Sequence, residues 1–149
     1  GVRLPVGPAP AEPPSDAVAP TPLHRAVLDV LPGPRADRFA DDVLARLTRQ
    51  VWTVRGESDR VGVRLDGPSL PRVRDGELAS EPTLPGAVQV PTDGRPIVFG
   101  PDAPVTGGYP VVAVLTDTAL DAAAQLRPGD AVRFRLVRVN RGSGRAPPT

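Results

Sequence analysis

The sequence predicts a mainly β fold, a closed or nearly closed β-barrel with two short helices plugging its ends. Three observations carry that prediction. Seven apolar runs of strand length are separated by turn residues. The 21 prolines and 15 glycines break the chain too often for long helices. Only two stretches carry helical signals, one of them a clear 3.6-residue periodicity.

Residues 1–24 form a Pro/Ala-rich segment, polyproline-like and poor in core-forming side chains, with His24 at its end. Arg25–Leu31 is an apolar strand closed by Pro32-Gly33-Pro34. Phe39, Val43, Leu44 and Leu47 share one helical face. Asp41 and Asp42 lie early and Arg46 and Arg49 late, which suits the helix dipole, so an amphipathic helix is expected over Asp37–Arg49. Gln50–Val54 supplies a strand in which Trp52 reads as core filler rather than a ligand platform. Gly56–Asp59 turns the chain into Val61–Asp66, a strand with one buried face and with Arg60, Arg64 and Asp66 on the other side.

Ser69–Pro85 lacks periodicity and reads as irregular loop. Ala87–Val90 and Ile97–Gly100 are strands joined through Asp93-Gly94, whose glycine tolerates the positive φ such a turn needs. Val111–Leu115 is continuously apolar, hence a strand buried on both faces. Thr118-x-x-Asp121 resembles a capping box opening a helix through Leu126. Pro128-Gly129-Asp130 then turns into a last strand in which Val132, Phe134 and Leu136 alternate with Ala131, Arg133 and Arg135. Residues 141–149 read as a disordered tail.

Composition excludes more chemistry than it offers. All 18 basic residues are arginine, and lysine is absent. There is thus no P-loop lysine, no Schiff-base lysine and no lysine to carry biotin. Zero cysteines and one histidine remove disulfides, thiol nucleophiles and ordinary zinc sites. A Ser-His-Asp triad would have to use His24 beside the proline-rich segment, which is disfavoured. Net charge is +1 with the signs interspersed, so no basic stripe points to nucleic acid. No apolar run approaches membrane-spanning length and no signal-peptide pattern opens the chain; a cytoplasmic location is expected. Starting at Gly1 without any methionine, the chain reads as a piece of a longer protein. Only five aromatics are present, so Val, Leu and Ala must fill the core.

Three constellations remain for binding or catalysis. In Thr106-Gly107-Gly108-Tyr109 two glycines let the backbone approach a ligand and turn consecutive N–H groups toward a carboxylate or phosphate, with two hydroxyls as further donors. The plainer alternative is a Gly-Gly turn ended by Pro110. Glu81 and Asp102 are carboxylates suited to orient a substrate amide or act as a catalytic base, against the commoner fate of solvated loop acids. Arg60 suits a bidentate clamp on a carboxylate or phosphate, and Gln89 points away from the Val88/Val90 face, so both are placed to reach one polar surface. Structural pairing of Arg60 with Asp59 or Asp66, and of Gln89 along a strand edge, stands beside that reading.

Several runs carry a family resemblance. E-L-A-S-E at Glu77–Glu81, P-G-A-V-Q-V-P at Pro85–Pro91, D-G-R-P-I-V at Asp93–Val98 and T-G-G-Y-P at Thr106–Pro110 stand in order. V-L-P-G-P (Val30–Pro34), S-D-R-V-G-V-R-L (Ser58–Leu65) and A-Q-L-R-P-G-D (Ala124–Asp130) flank them. Together they resemble the C-terminal half of the family of 5-oxoprolinase C subunits, which also goes by allophanate hydrolase subunit 2 or the biotin-dependent carboxyltransferase family. The resemblance implies a cyclophilin-like barrel over residues 25–140, with Gly1–Gly7 as a remnant of an upstream lobe.

It also implies a small-molecule amide or lactam substrate; the residues read above for its site are Arg60, Gln89, Thr106, Gly107, Gly108 and Tyr109 for binding, and Glu81 and Asp102 as candidate catalytic carboxylates. The activity implied is ATP-dependent hydrolysis of 5-oxoproline to glutamate. Its partners would be a related protein like the B subunit of that enzyme and a lactam-opening protein like its A subunit. ATP would then act at the level of the complex, and biotin would not be attached to this chain. Urea carboxylation from carboxybiotin and a non-catalytic role as antagonist of a kinase inhibitor are the alternatives. The isolated chain is expected to fold without turnover.

Overall fold

The computed structural model describes residues 3, 5, 7, 8, 25–74 and 78–138. His24, Glu77, most of the proline-rich segment and the expected C-terminal tail lie outside the described residues. Among the described residues there are nine strands: β1 (Arg25–Pro32), β2 (Trp52–Val54), β3 (Gly62–Asp66), β4 (Glu81–Pro82), β5 (Ala87–Gln89), β6 (Ile97–Phe99), β7 (Thr106–Gly107), β8 (Val111–Leu115) and β9 (Ala131–Leu136). Two α-helices, α1 (Val43–Arg49) and α2 (Asp117–Ala123), accompany them.

Seven strands close into a barrel in the order β1-β8-β5-β6-β3-β2-β9, and β4 pairs with β7 as a separate ribbon. The seven barrel strands are those the sequence predicts. A ring of odd strand number cannot alternate direction throughout. Here β1 and β9 run parallel over six residue pairs, and every other neighbour pair is antiparallel. Closure removes the unpaired edges that an open sheet would expose.

Inward-facing residues form one core: Leu28, Val30, Trp52, Leu65, Val88, Val98, Val112 and Val132 are all at most 1% exposed. β2 and β8 run in the same direction, so α1, which leads into β2, and α2, which follows β8, occupy opposite ends of the barrel. Trp52 seals the α1 end, its indole N–H donating to the Leu47 carbonyl at 3.0 Å. At the β5–β6 turn Gly94 takes a φ of +76, the conformation expected of the Asp-Gly pair. No helix of the described residues is long and apolar enough to cross a membrane.

Four local expectations change. The helix expected over Asp37–Arg49 is divided: Ala36–Arg38 is one 3-10 turn, Phe39 makes an isolated bridge with Arg72, and α1 begins at Val43. Tertiary demand overrides periodicity here, because Phe39 is buried in the barrel core at 3% exposure. The cap of α2 is Thr116, not Thr118. Thr116 leaves β8 in an extended conformation and its hydroxyl accepts from the Ala119 N–H at 3.3 Å, so the helix starts at once. That helix ends at Ala123 rather than Leu126. The stretch Ser69–Pro85, expected as irregular, contains the buried Leu70 and strand β4.

Candidate functional site

Along β5 and β6, Val88 and Val98 face the core, while Ala87, Gln89, Ile97 and Phe99 face outward. The chain leaving β6 crosses this outer face before it re-enters the barrel as β8. Ala103 on the crossing segment packs with Ala87, Phe99 and Val111 in a second, smaller apolar cluster. Partway across, β7 pairs with β4, with Glu81 opposite Gly107 and Pro82 opposite Thr106. The double-glycine stretch is thus laid on the outside of the barrel and tied there.

Gln89 makes the tie. It is the one buried polar side chain among the described residues, 5% exposed, and its Nε2 donates to the Tyr109 carbonyl at 3.0 Å. The adjacent Val90 N–H donates to the Pro110 carbonyl at 3.0 Å. Glycine at 107 is required by this contact, because a Cβ there would lie 2.8 Å from Gln89 Nε2 and 3.3 Å from a Thr83 methyl. The anion nest expected of Gly107 and Gly108 is not formed. Neither has positive φ, whereas a nest alternates right- and left-handed residues; Gly107 is instead extended within β7.

Two arginines flank this ribbon. Arg35, just past β1, places Nε 3.0 Å from both carboxylate oxygens of Glu81, and its Nη2 also contacts Oε1. The Arg35 guanidinium holds the Glu81 carboxyl below the usual carboxylate range. Glu81 is therefore a charged, doubly engaged anchor of β4 and a weak base in this geometry. Arg72 stacks its guanidinium 5.3 Å from the centre of the Tyr109 ring and donates Nη2 to the Val90 carbonyl at 3.1 Å. Its Nε is buried with no partner. The Tyr109 side chain remains half exposed.

Arg60 and Asp102 lie elsewhere. Gln89 ends β5 and Arg60 precedes β3; strand direction puts Gln89 at the α1 end of the barrel and Arg60 at the α2 end. The single polar surface expected for Arg60 and Gln89 is therefore not formed. Arg60 instead grips Asp102 with two bonds, Nε to Oδ2 at 2.6 Å and Nη2 to Oδ1 at 3.1 Å. That contact draws the Asp102 carboxyl downward and the Arg60 guanidinium upward. Both side chains are at least half solvated, so the pair is a surface clasp.

A cleft of 620 Å³ opens at that same end, between α2, the β2–β3 turn and the end of β6, with Arg60 at its rim and Phe99, Leu120 and Leu126 in its walls. None of Gln89, Glu81 or residues 106–109 lines it. The polar groups on the outer face form a shelf apart from that cleft. The structure thus gathers Glu81, Gln89, Thr106, Gly107 and Tyr109 around one ribbon, Gly108 next to them in sequence, and leaves Arg60 with Asp102 apart. Sequence reasoning passed over Arg35 and Arg72. Arg35 directly follows the P-G-P turn, a detectable signal; Arg72 sat in a stretch with no periodicity to mark it.

Comparisons with known proteins agree on one family. A family model described as carboxyltransferase domain, subdomain A and B, matches residues 1–136. The 5-oxoprolinase C subunit of Haemophilus influenzae is 38% identical over 120 residues, covering 80% of this chain and 38% of the relative. The 5-oxoprolinase C subunit of Escherichia coli is 40% identical over 104 residues, covering 70% of this chain and 34% of the relative. A crystal structure of the K. lactis urea amidolyase superposes with a TM-score of 0.72 at 28% identity, over 77% of this chain and 8% of that one. The chain spans little more than a third of the length of the two bacterial relatives.

Proposed function

The chain belongs to the carboxyltransferase domain family, and on that premise we propose that it is the C-terminal portion of a protein like the 5-oxoprolinase C subunits. In this reading it supports ATP-dependent opening of 5-oxoproline to glutamate together with A-like and B-like partner subunits. The observation that carries it is the identity of 38% and 40% to two 5-oxoprolinase C subunits across most of this chain.

The outer-face shelf is the substrate-facing part of this reading. Gln89 fixes the main chain at Tyr109, and β4 fixes it at Gly107, so the Tyr109 ring and the Arg72 guanidinium are presented from a rigid support. The Arg35–Glu81 pair locks that support and leaves no free base on it. Asp102, clasped by Arg60 at the opposite end, is not on the shelf either. Neither carboxylate read as a base is free on the shelf, and the general base is assigned to another group. The shelf does not suit a triphosphate, since lysine is absent and no nest forms at Gly107 and Gly108. Nucleotide binding is assigned to a partner protein, and no biotin is carried here.

A second reading, carboxyl transfer to urea, is favoured by the superposition on the urea amidolyase structure. One experiment separates them. The protein is combined with candidate A-like and B-like subunits, and glutamate and ADP are measured with 5-oxoproline and ATP. Glutamate release by the assembled complex and none by this chain alone is the expected result. Turnover by the chain alone, or carboxylation of urea by a complex with a biotin carrier that opens no 5-oxoproline, overturns it.

A further inference from the structure

We infer that Arg72 recognises the carboxylate of the substrate, which makes a carboxylate-bearing lactam, rather than an uncharged amide, the substrate class of the outer-face shelf. The inference rests on the proposed function and goes one step further, from the reaction to the residue that selects its substrate.

Arg35, Arg60 and Arg72 each contact a candidate site residue or are one, and they differ in what their donors already hold. Arg35 has its fork occupied by both oxygens of Glu81. Arg60 has its fork occupied by both oxygens of Asp102. Arg72 is different. Among the described residues no carboxylate pairs with it; one donor, Nη2, reaches a neutral main-chain carbonyl, and Nε is buried without a partner. Its Nε is closed off, but Nη1 is not buried and makes no hydrogen bond among the described residues; arginine is the side chain whose planar fork, here its Nη1/Nη2 end, matches a carboxylate.

Arg72 is also held in place before any ligand arrives. Its backbone bridges Phe39, which is anchored in the core, and its guanidinium lies between the Val90 carbonyl and the Tyr109 ring. Little side-chain freedom remains to be lost on binding, the arrangement expected of a recognition residue. Tyr109 is tied through Gln89 to the same strand end that supplies Val90. Ring, guanidinium and loop therefore move as one unit. A 5-oxoproline carboxylate on Arg72 would leave its lactam ring beside the Tyr109 face. Urea has no carboxylate for this position.

The test compares 5-oxoproline with 2-pyrrolidinone, the same lactam without the carboxylate, in the complex assembled from this protein and its partner subunits. Arg72→Ala is expected to raise KM for 5-oxoproline by about 10- to 100-fold, the loss typical of a charge-assisted hydrogen bond. The preference for 5-oxoproline over 2-pyrrolidinone should fall by a similar factor, because only one substrate carries the recognised group. Arg72→Lys keeps the charge and stem but not the fork, and should fall between wild type and Arg72→Ala; it also guards against an alanine variant that fails to assemble. An active complex in which both variants keep wild-type KM, or lose both substrates equally, overturns the inference alone. A wild-type complex that opens no 5-oxoproline overturns the functional reading and this inference with it.

Discussion

Gln89 donates its side-chain amide to the main-chain carbonyl of Tyr109 at 3.0 Å from a position only 5% exposed. A glutamine whose neighbour Val88 is fully buried in the barrel core thereby fixes a loop that lies outside the barrel. The bond links a packing element to the residues that face solvent, and Gly107 allows it by leaving room for the amide.

Removing this tie should disturb the loop more than the fold. Gln89→Leu leaves the Tyr109 carbonyl without its buried donor, at a cost of about 1–3 kcal/mol. Gly107→Ala forces the Gln89 amide away and breaks the same bond by a different route. Because both act on one contact, the double variant should be little worse than either single variant, in both urea denaturation and activity of the assembled complex. Additive losses would mean that the two residues act separately.

The Arg60–Asp102 clasp should contribute little to stability. Both side chains are well solvated, 75% and 50% exposed, despite two short hydrogen bonds. A double-mutant cycle with Arg60→Ala and Asp102→Ala should give a small coupling that declines as salt is added. A larger coupling that salt does not reduce would show a desolvated pair and a closed cleft mouth.

Most of the barrel was legible because its strands carry their own signals. Val111–Leu115 is apolar at every position, as a strand packed on both faces must be, and Asp93-Gly94 announces its turn. The ribbon of β4 and β7 was not legible. Two-residue strands have no periodicity, and their pairing arises only because the crossing segment covers Ala87, Phe99 and Val111. The same cause hid the site. Gln89 and Arg60 both face outward in a one-dimensional reading, and only the directions of β5 and β3 in the closed ring separate them. Phe39 shows the complementary failure, a helix-periodic residue drawn out of the helix by burial.

Acid should weaken the β4 anchor in a defined direction. Hydrogen bonding from Arg35 holds the Glu81 carboxyl below its ordinary range, so the folded state favours the charged form. The contribution is present above the ordinary glutamate value, about 4.3, and is lost as pH falls through the lowered native value. Wild type should therefore exceed Glu81→Gln in stability near neutrality, and the gap should close on the acid side of that range. Urea denaturation of both proteins between neutral and acidic pH measures this. A gap that widens toward acid would mean that Glu81 is held protonated.

Trp52 should be the most costly aromatic to change at the α1 end. It is fully buried, and its indole N–H satisfies the Leu47 carbonyl in the last turn of α1. Gly67 packs against the ring so closely that a Cβ there would lie 2.7 Å from Trp52 Cε3. Trp52→Phe keeps an aromatic ring but leaves a gap and an unpaired helix carbonyl. The combined cost should be about 2–4 kcal/mol, from one lost buried bond and a partly filled cavity. Since Trp52 is the chain's one tryptophan, its emission should be blue-shifted in the native protein and move to the red on unfolding. The variant's stability is then read by circular dichroism. Trp52 lines the core and none of the outer-face shelf, so an assembled complex carrying Trp52→Phe should keep its KM at temperatures where it remains folded. A raised KM in the folded variant would show that strain at the α1 end reaches Gln89 and the loop it holds.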